Sequence, residues 1–219
     1  MLGFAGRMKA HGAAWMLALL CAGPVGAVPV DFGAQPASSE ARLMAQWALG
    51  AAGGGNAQGK PFAIVDKKAA RLFVFAADGR LLGAAPALLG QARGDASAPG
   101  VGDRVLSGIP LQERTTPAGR FESEPGRNDK GEAIVWVDYE AAIAIHRLRP
   151  MAASQRRPER LASASVDDKR ISLGCIVVSP AFYDAVIAPS LGRERGVVYV
   201  LPETRELTGV FGQGLATLL

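Results

Sequence analysis

Arg170-Ile171-Ser172-Leu173-Gly174-Cys175-Ile176-Val177-Val178 is the stretch from which the rest of this chain can be read. The chain has two cysteines. Cys21 falls in a leader-like segment, so a processed chain keeps Cys175 alone and forms no internal disulfide. A lone thiol outside the cytoplasm needs either burial or a task. Its neighbours Ile171, Leu173, Ile176, Val177 and Val178 suit an inert buried thiol. Two features point the other way. Gly174 lets the backbone approach a ligand closely, and Ser179-Pro180 reads as a helix N-cap with proline at the first helical position, whose partial positive charge would favour a thiolate.

Working outward, a nucleophilic thiol needs a base. His11 lies in the leader, which leaves His146 as the only imidazole of the processed chain. It ends the apolar run Ala141-Ala142-Ile143-Ala144-Ile145-His146, a strand arriving at a loop. A histidine in that place is ordinarily a polar cap, but one thiol and one imidazole at the edge of a β-rich core can meet in space.

His146, then a loop, then Ser172-Leu173-Gly174-Cys175 and a hydrophobic residue resembles the signature of the YkuD-type L,D-transpeptidases, a histidine followed by Ser/Thr-His-Gly-Cys. Thr115-Thr116-Pro117-Ala118-Gly119-Arg120-Phe121 is similar to that family's Thr-Pro-x-Gly-x-Phe turn and strand. The resemblance runs from about Pro61 to Leu201. Three departures stand out: Leu173 replaces the second histidine, Val177 replaces the usual polar residue, and 25 residues separate His146 from Ser172.

The resemblance implies a mainly β fold, an L,D-transpeptidase-like β-sandwich or partly closed barrel with a short helix after Cys175. It implies an exported cysteine acyltransferase that acts on peptidoglycan stem peptides without a cofactor or a metal. Cys175 would be nucleophile and His146 base. Backbone N–H groups around Leu173, Gly174 and Cys175 would hold the oxyanion, Ser172 would position the loop, and Arg170 and Arg147 would meet substrate carboxylates. Two alternatives stay open: a peptide hydrolase on the same scaffold, and a wall-binding module without catalysis.

The remaining sequence fits around that centre. Residues 1–27 read as a signal peptide: Arg7 and Lys9, an apolar run from Gly12 to Gly23, then Val25-Gly26-Ala27 for cleavage. That run is too short to span a bilayer, and no later run is longer, so the expectation is a periplasmic or secreted protein without stable membrane insertion. Residues 28–60 read as an N-terminal helix and linker. Ser38 or Ser39 caps the helix, Leu43, Met44 and Trp47 share a face, and Gly53-Gly54-Gly55-Asn56 is flexible.

Residues 61–202 read as the catalytic domain, and 203–219 as a tail. Short apolar runs at 62–66, 71–75, 81–89, 133–139 and 196–201 read as strands, the first three as a meander with a turn at Asp78-Gly79. Pro180 to Ile187 reads as a short helix. The polar loop 147–170 lies between base and nucleophile and is placed to act as a lid. Asp95 and Asp103, in a Gly- and Asp-rich region, lack the spacing of a metal site. The formal charge of +4 falls to about +2 without Arg7 and Lys9, too little for a nucleic-acid partner.

Overall fold

The computed structural model describes residues 30–50, 56–212, 214 and 215. The signal-peptide reading, Cys21, His11 and Gly53 to Gly55 lie outside these residues. Among them, no helix is long and apolar enough to cross a membrane.

The chain is mainly β, as expected. Eight strands form one mixed sheet in the order β3 (Leu81–Pro86), β2 (Arg71–Phe75), β1 (Phe62–Asp66), β10 (Gly196–Val200), β5 (Gly119–Arg127), β6 (Ala133–Asp138), β7 (Ile143–Arg147), β9 (Ile176–Val178). Pairing is antiparallel except for β1 with β10 and β7 with β9. β4 (Leu89–Gly90) and β8 (Arg170–Ser172) make a separate parallel pair. Leu88, just past edge strand β3, exchanges both backbone hydrogen bonds with Val177 on the opposite edge strand β9, at 2.8 and 2.9 Å. The sheet therefore curls until its two edges almost meet, which removes most of the unpaired edge that an open sheet would expose.

Alternation along the strands sorts side chains between two cores. Ala63, Val65, Leu72, Val74, Val198 and Val200 face the barrel interior. Their neighbours Phe62, Ile64, Phe73, Phe75, Val197 and Tyr199 face outward onto a second apolar layer. Strands buried on both faces read as continuous apolar runs, which is why 62–66 and 196–200 show no alternation.

The outer layer is closed by helix α1 (Ser39–Leu49), whose Ser38 Oγ accepts from the Ala41 N–H, and by α4 (Leu207–Phe211). The buried stripe of α1 is Ala41, Met44, Ala45 and Ala48, with Leu43 and Trp47 at its margin rather than at its centre. Three of these four are alanines, whose small side chains let the helix lie close against the outer apolar layer around Met44.

The segment after Leu201 enters this structure instead of trailing from it. Leu207 and Leu215 are buried in the outer layer. Asp95 accepts hydrogen bonds from the backbone N–H groups of Glu203, Thr204 and Arg205, at 2.8 to 2.9 Å.

Candidate functional site

The site is set by the register of two parallel strands. Ile145 pairs with Ile176 and His146 with Val177, so Cys175, one residue before β9, continues the pairing opposite Ala144. With a period of two, Ile143, Ile145, Ile176 and Val178 point into the barrel core. Ala144, His146, Cys175 and Val177 therefore share the other face. His146 and Cys175 are diagonal neighbours there, about 8 Å apart at Cα for a strand spacing of about 4.8 Å and two residues of rise. An imidazole and a thiol can close that separation.

Both line one cleft of about 280 Å³, together with Trp136, Leu173, Arg149 and Arg157. Val101 and Gly102, at the end of the Gly- and Asp-rich region, form part of its wall. A side chain at Gly102 would meet the Glu140 carbonyl oxygen at 2.0 Å, so only glycine lets the loop approach this closely.

His146 Nδ1 lies 2.7 Å from the Arg147 carbonyl oxygen. A carbonyl only accepts, so Nδ1 carries the proton and Nε2 is the free basic nitrogen. Burial lowers the imidazole pKa to about 4 against the pull of that carbonyl, and the guanidiniums of Arg149 and Arg157 push the same way as burial. At neutral pH the ring is uncharged. The Cys175 thiol points to the Ala142 carbonyl oxygen, 3.6 Å away, with no hydrogen bond to His146. Burial raises its pKa, and the Ala144 N–H, Arg149 and Arg157 oppose this without overcoming it. The resting pair is thus thiol and neutral imidazole.

This corrects the expectation of a helix-stabilised thiolate. Ser179 does cap a helical turn, α3 (Pro180–Phe182), accepting from the Phe182 N–H. Three residues of β9 lie between that turn and Cys175, and a helix-terminal field fades within about one turn.

Hydroxyls and glycines hold the cysteine loop. Ser172 Oγ donates to the Cys175 carbonyl at 2.6 Å and accepts from the Gly174 N–H at 3.1 Å. The Gly174 N–H, expected to face an oxyanion, is therefore occupied. Thr116 Oγ1 donates to the Gly174 carbonyl at 2.7 Å and accepts from the Gly90 N–H at 2.8 Å, so the Thr-Thr-Pro turn ties the cysteine loop to β4. Gly174 has φ of 135°, and a Cβ there would lie 2.8 Å from the Thr115 carbonyl oxygen and 2.6 Å from the Ile143 side chain. Gly174→Ala is expected to cost roughly 2–4 kcal/mol, from left-handed strain and overpacking together. Urea unfolding checks it: an unchanged midpoint would show that the loop relaxes freely.

Neither arginine expected to hold substrate lines the cleft. Arg147 follows His146 on the strand and so points to the opposite face, where its guanidinium stacks 4.0 Å from the Tyr183 ring centroid and pairs with Asp184 at 2.6 Å. Arg170 is buried. Its guanidinium binds both carboxylate oxygens of Glu203, at 2.6 and 3.1 Å, and donates to the Lys67 carbonyl at 2.8 Å. A buried guanidinium is held by a fixed carboxylate of its own chain, so it is not available to a passing one.

Arg149 and Arg157 from the 147–170 loop take the positions at the cleft. That loop contains helix α2 (Arg157–Ala162), whose Leu161 packs with Leu88 and Val177. Val177 thus seats the 147–170 loop. Proline in the first turn and Glu159 beside it were the available signals for α2.

Comparison with family models returns no match, and none of the curated proteins matches. Among solved structures, an L,D-transpeptidase from Mycobacterium smegmatis is 19% identical with a TM-score of 0.38, over 64% of this chain and 58% of that one. The L,D-transpeptidase from Xylanimonas cellulosilytica gives 17%, 0.37, 64% and 60%. L,D-transpeptidase 1 from Mycobacterium tuberculosis gives 19%, 0.34, 64% and 61%. A likeness of this degree carries no argument about activity, which has to rest on the residues of the cleft. The matched part of this chain spans about three fifths of the length of these solved structures.

Proposed function

We propose that this chain is an exported cysteine acyltransferase of the L,D-transpeptidase type, acting on peptidoglycan stem peptides. The observation that carries the reading is that Cys175 and His146 line one cleft from adjoining strands, with Nδ1 held by a carbonyl and Nε2 left basic. In the first half-reaction the sulfur attacks the carbonyl of the diamino acid, and its proton passes to Nε2. The amide bond to the terminal D-alanine breaks, the proton moves from Nε2 to the leaving amine, and a thioester remains. In the second, an amine of another stem attacks the thioester, a new amide forms and the thiol is restored.

N–H groups of Leu173 and Cys175 are the oxyanion donors in this reading, with Gly174 engaged by Ser172. Each donor of that kind contributes about 3 kcal/mol to the transition state. Export rests on Arg7, Lys9 and the apolar run from Gly12 to Gly23.

A second reading, a wall-peptide-binding module, is favoured by the raised thiol pKa and by a sulfur directed at Ala142 instead of at the imidazole. Intact-mass measurement after incubation with a carbapenem separates the two. Ring-opening acylation expels nothing, so the expected mass gain is that of one whole carbapenem on wild type and none on Cys175→Ala. An unmodified wild type would remove the acyltransferase and leave the binding module. Products from a purified tetrapeptide, cross-linked or only shortened, then distinguish transfer to an amine from transfer to water.

A further inference from the structure

Arg157 is a charged group prepared for a partner that the chain does not supply. It lines the cleft of Cys175 and also an adjoining cleft of about 530 Å³, with Arg149 and Met151 common to both. Its guanidinium is held in place: Nε donates to Gln155 Oε1 at 2.6 Å, and Nη2 makes a long contact of 3.5 Å to the Ile171 carbonyl. Among the described residues no carboxylate pairs with it.

Arg147, Arg149 and Arg170 differ. Arg147 has Asp184, Arg170 has Glu203, and Arg149 has Glu132 at 2.7 Å. Burial lowers the Arg157 pKa, and Cys175 is the one neighbour that opposes this. A half-buried guanidinium with an oriented fork, open Nη1 and no acid of its own is costly to keep unless a ligand completes it.

We propose that Arg157 binds a carboxylate of the peptide acylating Cys175, and so makes the loop between His146 and Ser172 the element that selects an anionic substrate. The peptide class rests on the function proposed above; the carboxylate site itself does not. Arg149, already shared with Glu132, adds field but not a free fork. Two carboxylates of a stem tetrapeptide have the right chemistry, the terminal one of D-alanine and the free one of the diamino acid.

The site is tested on the full chain with two thiol reagents of nearly the same size, iodoacetate and iodoacetamide. In each case the sulfur forms a bond to carbon, iodide leaves, and the thiol proton goes to solvent; only iodoacetate brings a carboxylate. The expected result is that Arg157→Gln lowers the ratio of iodoacetate to iodoacetamide rates roughly tenfold, as loss of a charge-assisted hydrogen bond does, while Arg157→Lys retains much of it. An unchanged ratio in Arg157→Gln, with an unchanged melting temperature, overturns the proposal. So does failure of both reagents to reach Cys175.

This readout is independent of transpeptidation. A normal ratio effect with no carbapenem adduct would sink the function and spare the site. The source of the carboxylate is then read by calorimetry, with a tetrapeptide amidated at one carboxylate or the other binding to Cys175→Ala protein with and without the added Arg157→Gln substitution. The amide that abolishes the difference between those two proteins marks the carboxylate held. A difference that survives amidation of every carboxylate of the peptide overturns the assignment to a peptide carboxylate.

Discussion

Asp95→Ala is expected to cost about 3–5 kcal/mol, the range for stripping one partner from a buried ion pair. The Lys67 side chain is fully buried, and its ammonium lies 2.8 Å from Asp95 Oδ1 and 3.7 Å from a Glu203 oxygen. It also donates to the carbonyls of Gly94 and Thr116. Asp95 takes a further four hydrogen bonds from Glu203, Thr204 and Arg205, so one carboxylate fastens strand β1 to the segment after β10. Removing it takes from the buried ammonium its nearest carboxylate, leaving two carbonyls and the more distant Glu203, and strips several N–H groups of their acceptor.

Lys67→Met combined with Asp95→Ala is expected to recover part of the loss, because no charge is then stranded. Chemical denaturation of the two variants measures the coupling. A double variant no more stable than Asp95→Ala would mean that the backbone bonds, not the ion pair, carry the effect.

The sign of the pH dependence follows from the direction of the Asp95 shift. Burial works to raise its pKa, but hydrogen bonds from Lys67, Thr204 and the Glu203 and Thr204 backbone outweigh burial and hold the carboxyl well below the usual range. Its contribution is complete above about pH 4, the ordinary aspartate value, and is lost as pH falls through the lower folded value. Thr116 bridges this network to the Gly174 carbonyl, so its loss also loosens the cysteine loop.

Strand positions were legible because strands buried on both faces are written as unbroken apolar runs. One thiol and one imidazole in the processed chain pointed to a pair, and only register could place Cys175 and His146 on one face, where both line one cleft. What sequence did not show were partners distant along the chain. Arg170 is 33 residues from Glu203, and Asp95 is 108 residues or more from the N–H groups it binds. No local pattern reports such pairings, so an arginine beside the cysteine motif read as a substrate contact and a core segment read as a tail. Arg147 failed for a simpler reason: it is one residue past His146, and alternation turns it to the other face. Arg157 lies in the polar 147–170 loop, where composition alone does not separate an arginine that faces a cleft from one that faces water.

His146→Gln is expected to slow carbapenem acylation by about 10²–10⁴-fold, the usual contribution of a positioned base. Its pH dependence identifies the role more sharply than its size. The ring pKa is lowered to about 4 and the thiol is raised above its ordinary value. A His146-assisted rate should therefore fall on the acid side near pH 4, not near 6.5, and stay level through neutrality. In the glutamine variant no base remains, and the residual rate should climb with pH until the thiol itself ionises. Wild type with an acid limb near 6.5, or a variant that keeps the plateau, would remove His146 from the chemistry. The same shift acts on stability. Between pH 6.5 and about 4 the unfolded chain takes up a proton that the folded ring refuses, so stability declines as pH falls through that window. His146→Gln abolishes that part of the decline, and melting curves at pH 7 and pH 5 read it without reference to any substrate. A site whose imidazole only capped a strand end at the surface would titrate near its free value and show neither effect.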